Sequence, residues 1–153
     1  MMNINLIVVG KIKEDYLESA ISEYQKRIKP YCNLKIIEIK EINTLDTNKN
    51  LNMEADLILD NIKDDYVVTL EIEGKELTSV EFSKMIEKHY SYSDKVITFV
   101  IGSSFGLSNK VKIRSDYKLS FSKMTFPHQL MRVIFLEQLY RALTIINNIK
   151  YHK

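Results

Sequence analysis

Short apolar runs alternate along the chain with segments of helical periodicity. Four segments have the apolar or alternating pattern that is typical of strands: 5–9, 34–42, 66–72 and 96–101. Apolar residues recur at helical spacing between them, over 17–28, 51–62 and 82–89. Thr78 and Glu81 form a capping box that predicts the start of the third helix. The first two thirds of the chain therefore predict strands joined by helices.

The last third continues the alternation and ends in an unusual helix. The pattern predicts a short helix at 107–113, a fifth strand at 117–121, and a helix from Pro127 to about residue 147. This order predicts one α/β domain over 1–153, with a parallel sheet covered by helices on both faces. The last helix is apolar nearly all round, which favours a homodimer. The alternative is burial at the centre of a single chain.

Composition narrows the class of protein and its compartment. The chain has 153 residues, with 45% apolar and 27% charged side chains, which is ordinary for a globular protein. Cys32 is the one cysteine, so an internal disulfide is excluded. No apolar run reaches the roughly 18 residues that span a bilayer or has the length of a secretory signal. We therefore expect a soluble, cytoplasmic protein.

Charge is distributed unevenly along the chain. Residues 1–94 contain 12 basic and 18 acidic side chains, whereas 95–153 contain 10 basic and 2 acidic ones. A basic terminal third on an acidic body predicts an anionic partner, most commonly nucleic acid. The alternative is a solvated basic surface that has no partner.

All four glycines follow predicted strands at or near their ends: Gly10, Gly74, Gly102 and Gly106. In open parallel sheets ligands bind at the carboxyl ends of the strands, where glycine lets backbone approach the ligand. This pattern predicts a ligand site at that edge, whereas for Gly74 we expect simple turn chemistry. The scattered histidines and single cysteine give no metal-ligand spacing.

The Gly102 to Gly106 segment also matches a hydrolase pattern. Its letters GSSFG fit the nucleophile elbow with Ser104 at the centre, and Asp116 and His128 follow in the order that a catalytic triad requires. A small α/β serine hydrolase is therefore one alternative function, and a non-catalytic dimeric RNA-binding protein is another. His128 opens the last helix, where the helix dipole favours a neutral imidazole that can accept a proton.

Several segments together resemble the ribosomal large-subunit methyltransferase H family, which belongs to the SPOUT class. They are LIVVGK at 6–11, VVTLEIEGK at 67–75, FVIGSSFGL at 99–107, the stretch 119–133, EQLYRA at 137–142 and the ending YHK at 151–153. The resemblance covers nearly the whole chain in order. The family commonly has two glycines where this chain has Gly102 and Ser103. Positive φ at Ser103 would strain the turn, whereas at negative φ its hydroxyl would be free to add a hydrogen bond.

The resemblance implies a fold and a reaction. It implies a C-terminal trefoil knot, a homodimer with active sites near the interface, and S-adenosylmethionine as the methyl donor. The implied substrate is a pseudouridine in the intersubunit-bridge hairpin of 23S rRNA, methylated at N3. By position, the cofactor contacts would be Leu70, Gly102, Phe121, Ser122, Lys123, Met124, Thr125 and Phe126.

The chemistry of methyl transfer to RNA suggests roles for polar residues of the C-terminal third. His128 is the candidate general base, with Glu137 and His152 as rivals. The candidate substrate contacts are Arg132, Arg141, Tyr151, His152 and Lys153. Further candidates for phosphate contacts are Lys110, Lys112, Arg114, Lys118 and Lys123, and we expect RNA affinity to fall as salt rises.

Overall fold

Five strands and five helices alternate through the computed structural model, which describes all 153 residues. In chain order they are β1 (Met2–Val9), α1 (Asp15–Ile28), β2 (Cys32–Ile39), α2 (Thr47–Asp60), β3 (Tyr66–Glu76), α3 (Ser79–Tyr92), β4 (Ile97–Ile101), α4 (Asn109–Arg114), β5 (Tyr117–Ser120) and α5 (His128–Ile146). The predicted alternation is confirmed. Thr78 caps α3 as predicted, because its side chain accepts a hydrogen bond from the Glu81 backbone N–H.

The strands form one parallel sheet in the order β2-β1-β4-β3-β5. The central strand β4 pairs with β1 on one side and β3 on the other, with Phe99 in register with both Leu6 and Val68. Every residue of β4 is buried, which explains its continuous apolar sequence. Parallel pairing brings the carboxyl ends of all five strands to one edge of the sheet.

Helices cover both faces of the sheet, as predicted. One apolar core packs α1, α3 and α5 against one face of the sheet, through side chains such as Ile28, Phe82 and Phe135. A smaller core on the other face contains Ala55 and Ile58 from α2 and Val111 from α4. No helix has the length and apolar content needed to cross a bilayer.

The final helix lies between α1 and α3 against the sheet. Its buried apolar side chains are Phe135, Leu136, Leu139, Ala142 and Leu143. A single chain thus buries seven of the 19 residues of α5, including Arg132 and Thr144, and leaves the others half-buried or exposed. The apolar residues that α5 leaves half-buried or exposed, such as Leu130 and Ile134, are the ones that remain for a second chain to cover.

The third strand runs beyond its predicted end, and this corrects the interpretation of Gly74 as a simple turn residue. Leu119 of β5 pairs with Leu70 and again with Lys75, so the four residues 71–74 leave the ladder as a bulge. A Cβ on Gly74 would lie 2.7 Å from the carbonyl carbon of Lys118 and 2.8 Å from that of Leu119. Glycine is required here because the β5 backbone passes too close for any side chain. Local periodicity carries no information about that tertiary approach.

We expect Gly74→Ala to destabilise the protein by about 1–3 kcal/mol, because the added methyl group must displace backbone rather than a flexible side chain. In a chain of this size each kcal/mol lowers Tm by roughly 2–4 °C. Lys75→Ala is the matched control, since Lys75 is the exposed next residue on the strand. A Tm for Gly74→Ala equal to that of the control would contradict the close approach.

Candidate active site

A cavity of about 290 Å³ opens at the carboxyl ends of β3, β4 and β5. Eight of the residues that the sequence singled out line it: Leu70, Gly102, Phe121, Ser122, Met124, Thr125, Phe126 and His128. Lys123 lies in the same segment but is exposed and outside the cavity wall. The volume of the cavity is near the lower end of the range for small-ligand sites, about 300–1,000 Å³. The parallel sheet thus brings three distant segments to one cavity.

The turn after β4 shapes the floor of this cavity. A Cβ on Gly102 would lie 2.4 Å from the Gly106 carbonyl oxygen, so only glycine permits the fold-back. Gly106 has a φ of 87°, whereas Ser103 does not have positive φ. The Ser103 hydroxyl oxygen accepts a hydrogen bond from the Phe105 N–H at 3.3 Å. The serine therefore fits this turn without backbone strain, and its hydroxyl adds a contact that glycine lacks.

The segment between β5 and α5 forms the opposite wall. The Ser120 hydroxyl donates to the Ser122 carbonyl at 3.0 Å, and the Ser122 hydroxyl accepts from the Met124 N–H at 3.0 Å. Met124 is nevertheless 74% exposed and Phe126 is 36% exposed. These two side chains give the cavity an apolar wall that stays exposed to solvent. Such a wall suits a flat, partly apolar ligand.

His128 begins α5 at the edge of the cavity. Its Nε2 atom is buried and has no hydrogen-bond partner. Burial lowers the pKa of the imidazole below its ordinary value of 6.5, and the charge of Arg132 lowers it further, while Glu41 opposes the shift. The ring is therefore neutral near pH 7 and has an unused nitrogen, which is the state that a general base requires.

Arg132 lies one helical turn further along α5 and points into the protein. Its Nη2 donates to the carbonyl oxygens of Val9 at 2.7 Å and Gly10 at 2.6 Å, and Nη1 lies 3.4 Å from a Glu38 oxygen. The residue is only 2% exposed. Its guanidinium ties the end of β1 to α5, so the expectation that Arg132 contacts phosphate is corrected by its burial.

Four C-terminal residues form a second polar cluster, which we call the tail cluster: Glu137, Arg141, Tyr151 and His152. The Glu137 carboxylate accepts hydrogen bonds from Arg141 and from the Tyr151 hydroxyl. The Arg141 guanidinium also lies 4.8 Å from the centre of the Tyr151 ring and 3.1 Å from Nδ1 of His152. The tail is thus packed rather than frayed.

The tail cluster lies away from the cavity of its own chain. None of its four residues lines that cavity, although His128 does. Residues 128 and 137 lie on opposite sides of α5, because successive residues are rotated by about 100° around the helix axis. Glu137 and His152, the rival candidates for the general base, therefore do not meet His128 within one chain.

Many basic residues of the last third are paired within the chain. Ion pairs join Lys95 to Asp64, Lys110 to Asp56, Lys112 to Glu71 and Arg114 to Asp116. Lys118, Lys123 and Lys153 are exposed and make no ion pair. The surface cations available to a polyanion are therefore fewer than the sequence suggested.

The hydrolase alternative is not supported by the geometry. Ser104 is exposed and makes no side-chain hydrogen bond to His128, whose Nε2 has no partner. Asp116 instead accepts from the Val67 N–H at 2.8 Å and from Arg114 at 3.2 Å. The three residues do not form a nucleophile, base and orienting acid. No group of three or more His, Cys, Asp or Glu side chains is arranged to hold a metal ion.

Two charged cavity residues were not predicted as part of the cofactor site, although Lys112 was named as a candidate phosphate contact. Glu71 and Lys112 both line the cavity and face each other as an ion pair at 3.6 Å. Glu71 looked like a polar strand residue, because the bulge that turns it towards the cavity depends on pairing with β5. The one available signal was the charge itself, at the end of an otherwise apolar strand.

Comparison with known proteins agrees with this arrangement. The family model described as "Predicted SPOUT methyltransferase" matches residues 2–152. The ribosomal RNA large subunit methyltransferases H of Clostridium tetani and Clostridium botulinum are 52% and 51% identical to this chain, over 99% of it and 100% of their own length. The chain belongs to the SPOUT methyltransferase family.

A solved structure supports the fold independently of sequence. The crystal structure of a "Probable Methyltransferase" from Bordetella pertussis aligns with a TM-score of 0.57 at 11% identity. The alignment covers 93% of this chain and 95% of that one. At such low identity the similarity concerns the fold alone.

Proposed function

We propose that this protein uses S-adenosylmethionine to methylate 23S rRNA, at N3 of a pseudouridine in the intersubunit-bridge hairpin of the large subunit. The observation that carries the proposal is the single cavity shared by the β3 end, the Gly102 turn and residues 121–126, with His128 at its edge. Family membership supplies the class of reaction, and the relatives in Clostridium are named for action on large-subunit ribosomal RNA.

The residues at the cavity fit this cofactor. Gly102 lets backbone come within reach of a ligand where any Cβ would collide with Gly106. Leu70, Met124 and Phe126 supply apolar surfaces suited to an adenine ring, and the exposed edges of the turn supply backbone groups. When bound, S-adenosylmethionine supplies a methyl group that is already activated for transfer.

The protein must then orient the base nitrogen and remove its proton. Neutral His128 is the preferred general base, because the residue lines the cavity and its buried Nε2 makes no hydrogen bond within the chain. It would accept the N3 proton as the new carbon–nitrogen bond forms, leaving an imidazolium. Glu137 and His152 stay as rivals that would have to come from a second chain.

RNA would approach the cavity mouth along the unpaired lysines. Lys123 lies in the cavity segment itself, and Lys118 and Lys153 are equally exposed. Each can contact phosphate without breaking an ion pair inside the protein, unlike Lys110 or Arg114. Affinity for the RNA should therefore fall with rising salt.

We expect His128→Ala to lower the methylation rate by about 10²–10⁴-fold, the usual contribution of a general base, while cofactor affinity changes little. The assay is methyl transfer to ribosomes that lack the modification, with S-adenosylmethionine affinity measured by calorimetry. His89→Ala is the control, since His89 stacks on Tyr66 and does not line the cavity. Unchanged single-turnover rates would remove His128 from this role.

The pH dependence gives a second measurement. A base acts when deprotonated, and the pKa of His128 lies below 6.5. The acid limb of kcat/KM should therefore fall below that pH, and it should disappear in His128→Ala.

A protein that binds rRNA but neither binds nor uses S-adenosylmethionine would instead be the RNA-binding alternative. Reaction of Ser104 with a serine-directed phosphonate would favour the hydrolase.

A homodimer would bring the tail cluster to the cavity of the other chain. This proposal rests on the ordered tail cluster lying outside its own cavity, and on apolar residues that α5 leaves uncovered. Leu130 is 37% exposed, and Ile134 and Ile145 are half-buried on the same outward face. In such a dimer Arg141, Tyr151, His152 and Lys153 would contact the RNA beside the partner's His128.

Mixing two inactive variants tests this arrangement. His128→Ala lacks the base, and a chain truncated before Tyr151 lacks the tail. In a dimer with composite sites, equal mixing after subunit exchange gives half heterodimers, each with one intact site, so about a quarter of the wild-type activity returns. Mixing His128→Ala with His89→Ala controls for losses during mixing, because about half of the wild-type activity should remain whether or not the subunits exchange. Absence of recovery despite demonstrated exchange would contradict composite sites.

We also propose that the C-terminal region forms a trefoil knot. The tight passage of β5 against Gly74 and the position of residues 121–126 and the Gly102 turn around one cavity are compatible with such threading. Single-molecule stretching from both ends should leave the chain short of its full contour length of about 3.3–3.6 Å per residue. Extension to the full length would exclude the knot.

A further inference from the structure

Glu71 is a nearly buried carboxylate in the wall of the cavity. Its side chain is only 7% exposed, and it lies in the bulge of residues 71–74 that leaves the β3–β5 ladder. Bulges next to active sites commonly redirect a side chain. A nearly buried carboxylate is costly unless its oxygens have partners, so the partners of each oxygen decide which of them a ligand can use.

Hydroxyl groups hold this carboxylate in one orientation. The Thr69 hydroxyl donates to Oε2 of Glu71 at 2.6 Å, and Thr69 is itself fully buried. The Ser115 hydroxyl lies 2.8 Å from that of Thr69 and contacts the Tyr117 carbonyl oxygen at 2.8 Å. One carboxylate oxygen is thus fixed by the protein interior.

The other carboxylate oxygen is left available to a ligand. The nearest cation, Nζ of Lys112, lies 3.6 Å from Oε1, beyond hydrogen-bond distance. Oε1 makes no other hydrogen bond in the chain, and Glu71 and Lys112 both line the cavity. The cavity wall therefore presents a hydrogen-bond acceptor beside an ammonium donor.

A hydroxyl group fits such a pair better than an ion does. It can donate to Oε1 and accept from Lys112 at the same time. A sulfonium or ammonium group placed at Oε1 would be repelled by Lys112, and a carboxylate placed at Lys112 would be repelled by Glu71. We propose that Glu71, with Lys112, recognises the vicinal ribose hydroxyls of the nucleoside cofactor. This inference rests on the proposed function.

Calorimetry with two nucleosides isolates those hydroxyls. We expect the wild type to bind adenosine about tenfold to a hundredfold more tightly than 2′,3′-dideoxyadenosine, as hydrogen bonds to a charged group allow. Glu71→Met should abolish that preference while its affinity for the dideoxy compound stays near wild type. Glu71→Gln keeps the shape and one acceptor oxygen, so an intermediate preference is expected even if the methionine variant folds poorly.

Glu76→Met is the matched control, because it removes the same charge from an exposed residue of the same strand, outside the cavity. Equal losses for both nucleosides in the Glu71 variants would overturn the inference and indicate a structural role. A loss confined to S-adenosylhomocysteine, with adenosine unaffected, would overturn it in favour of the amino-acid end. Wild-type protein that binds neither S-adenosylhomocysteine nor adenosine would overturn the proposed cofactor itself.

Discussion

The parallel pairing of β4 with both β1 and β3 is the constraint on which the site depends. Because β4 is buried on both faces and hydrogen-bonded on both sides, its end is fixed relative to its neighbours. The turn after Ile101 must then begin beside Leu70, the residue that follows the last β3–β4 pair, Thr69 with Val100. Three segments far apart in sequence become walls of one cavity without any long-range ion pair to join them.

Each chain carries two polar centres, and their separation suggests how the chemistry is divided. His128 belongs to the cavity, whereas the tail cluster lies on the outward side of the same helix. A helix can present groups to both sides, so one α5 can serve two sites at once. The division also explains why α5 combines a face that packs on the sheet with an outward face that is neither wholly polar nor wholly apolar.

The sequence predicted what local periodicity determines. Strands, helices, the Thr78 cap and the position of Gly102 at the carboxyl edge of the sheet follow from spacing and from the geometry of parallel sheets. Predictions about features that depend on contacts between distant segments were wrong or were not made. Gly74 looked like a turn residue because nothing local reports the passage of β5, and Arg132 looked like a surface cation because its carbonyl partners lie at the other end of the chain.

The family resemblance supplied what periodicity could not, namely which positions are expected to contact a cofactor. It did not supply the state of those positions. The pKa shift of His128, the pairing of most C-terminal basic residues and the fixed orientation of Glu71 arise from neighbours brought together only by folding. Site membership was therefore more predictable than site chemistry.

The bond from Arg132 to the end of β1 has a consequence for synthesis of the protein. It joins residues 123 positions apart, so β1 acquires this partner only after the four helices and four strands between them have been synthesised. Contacts of such high sequence separation slow folding. Until α5 emerges, the nascent chain has a sheet edge and an apolar face uncovered, which makes it a natural client for chaperones.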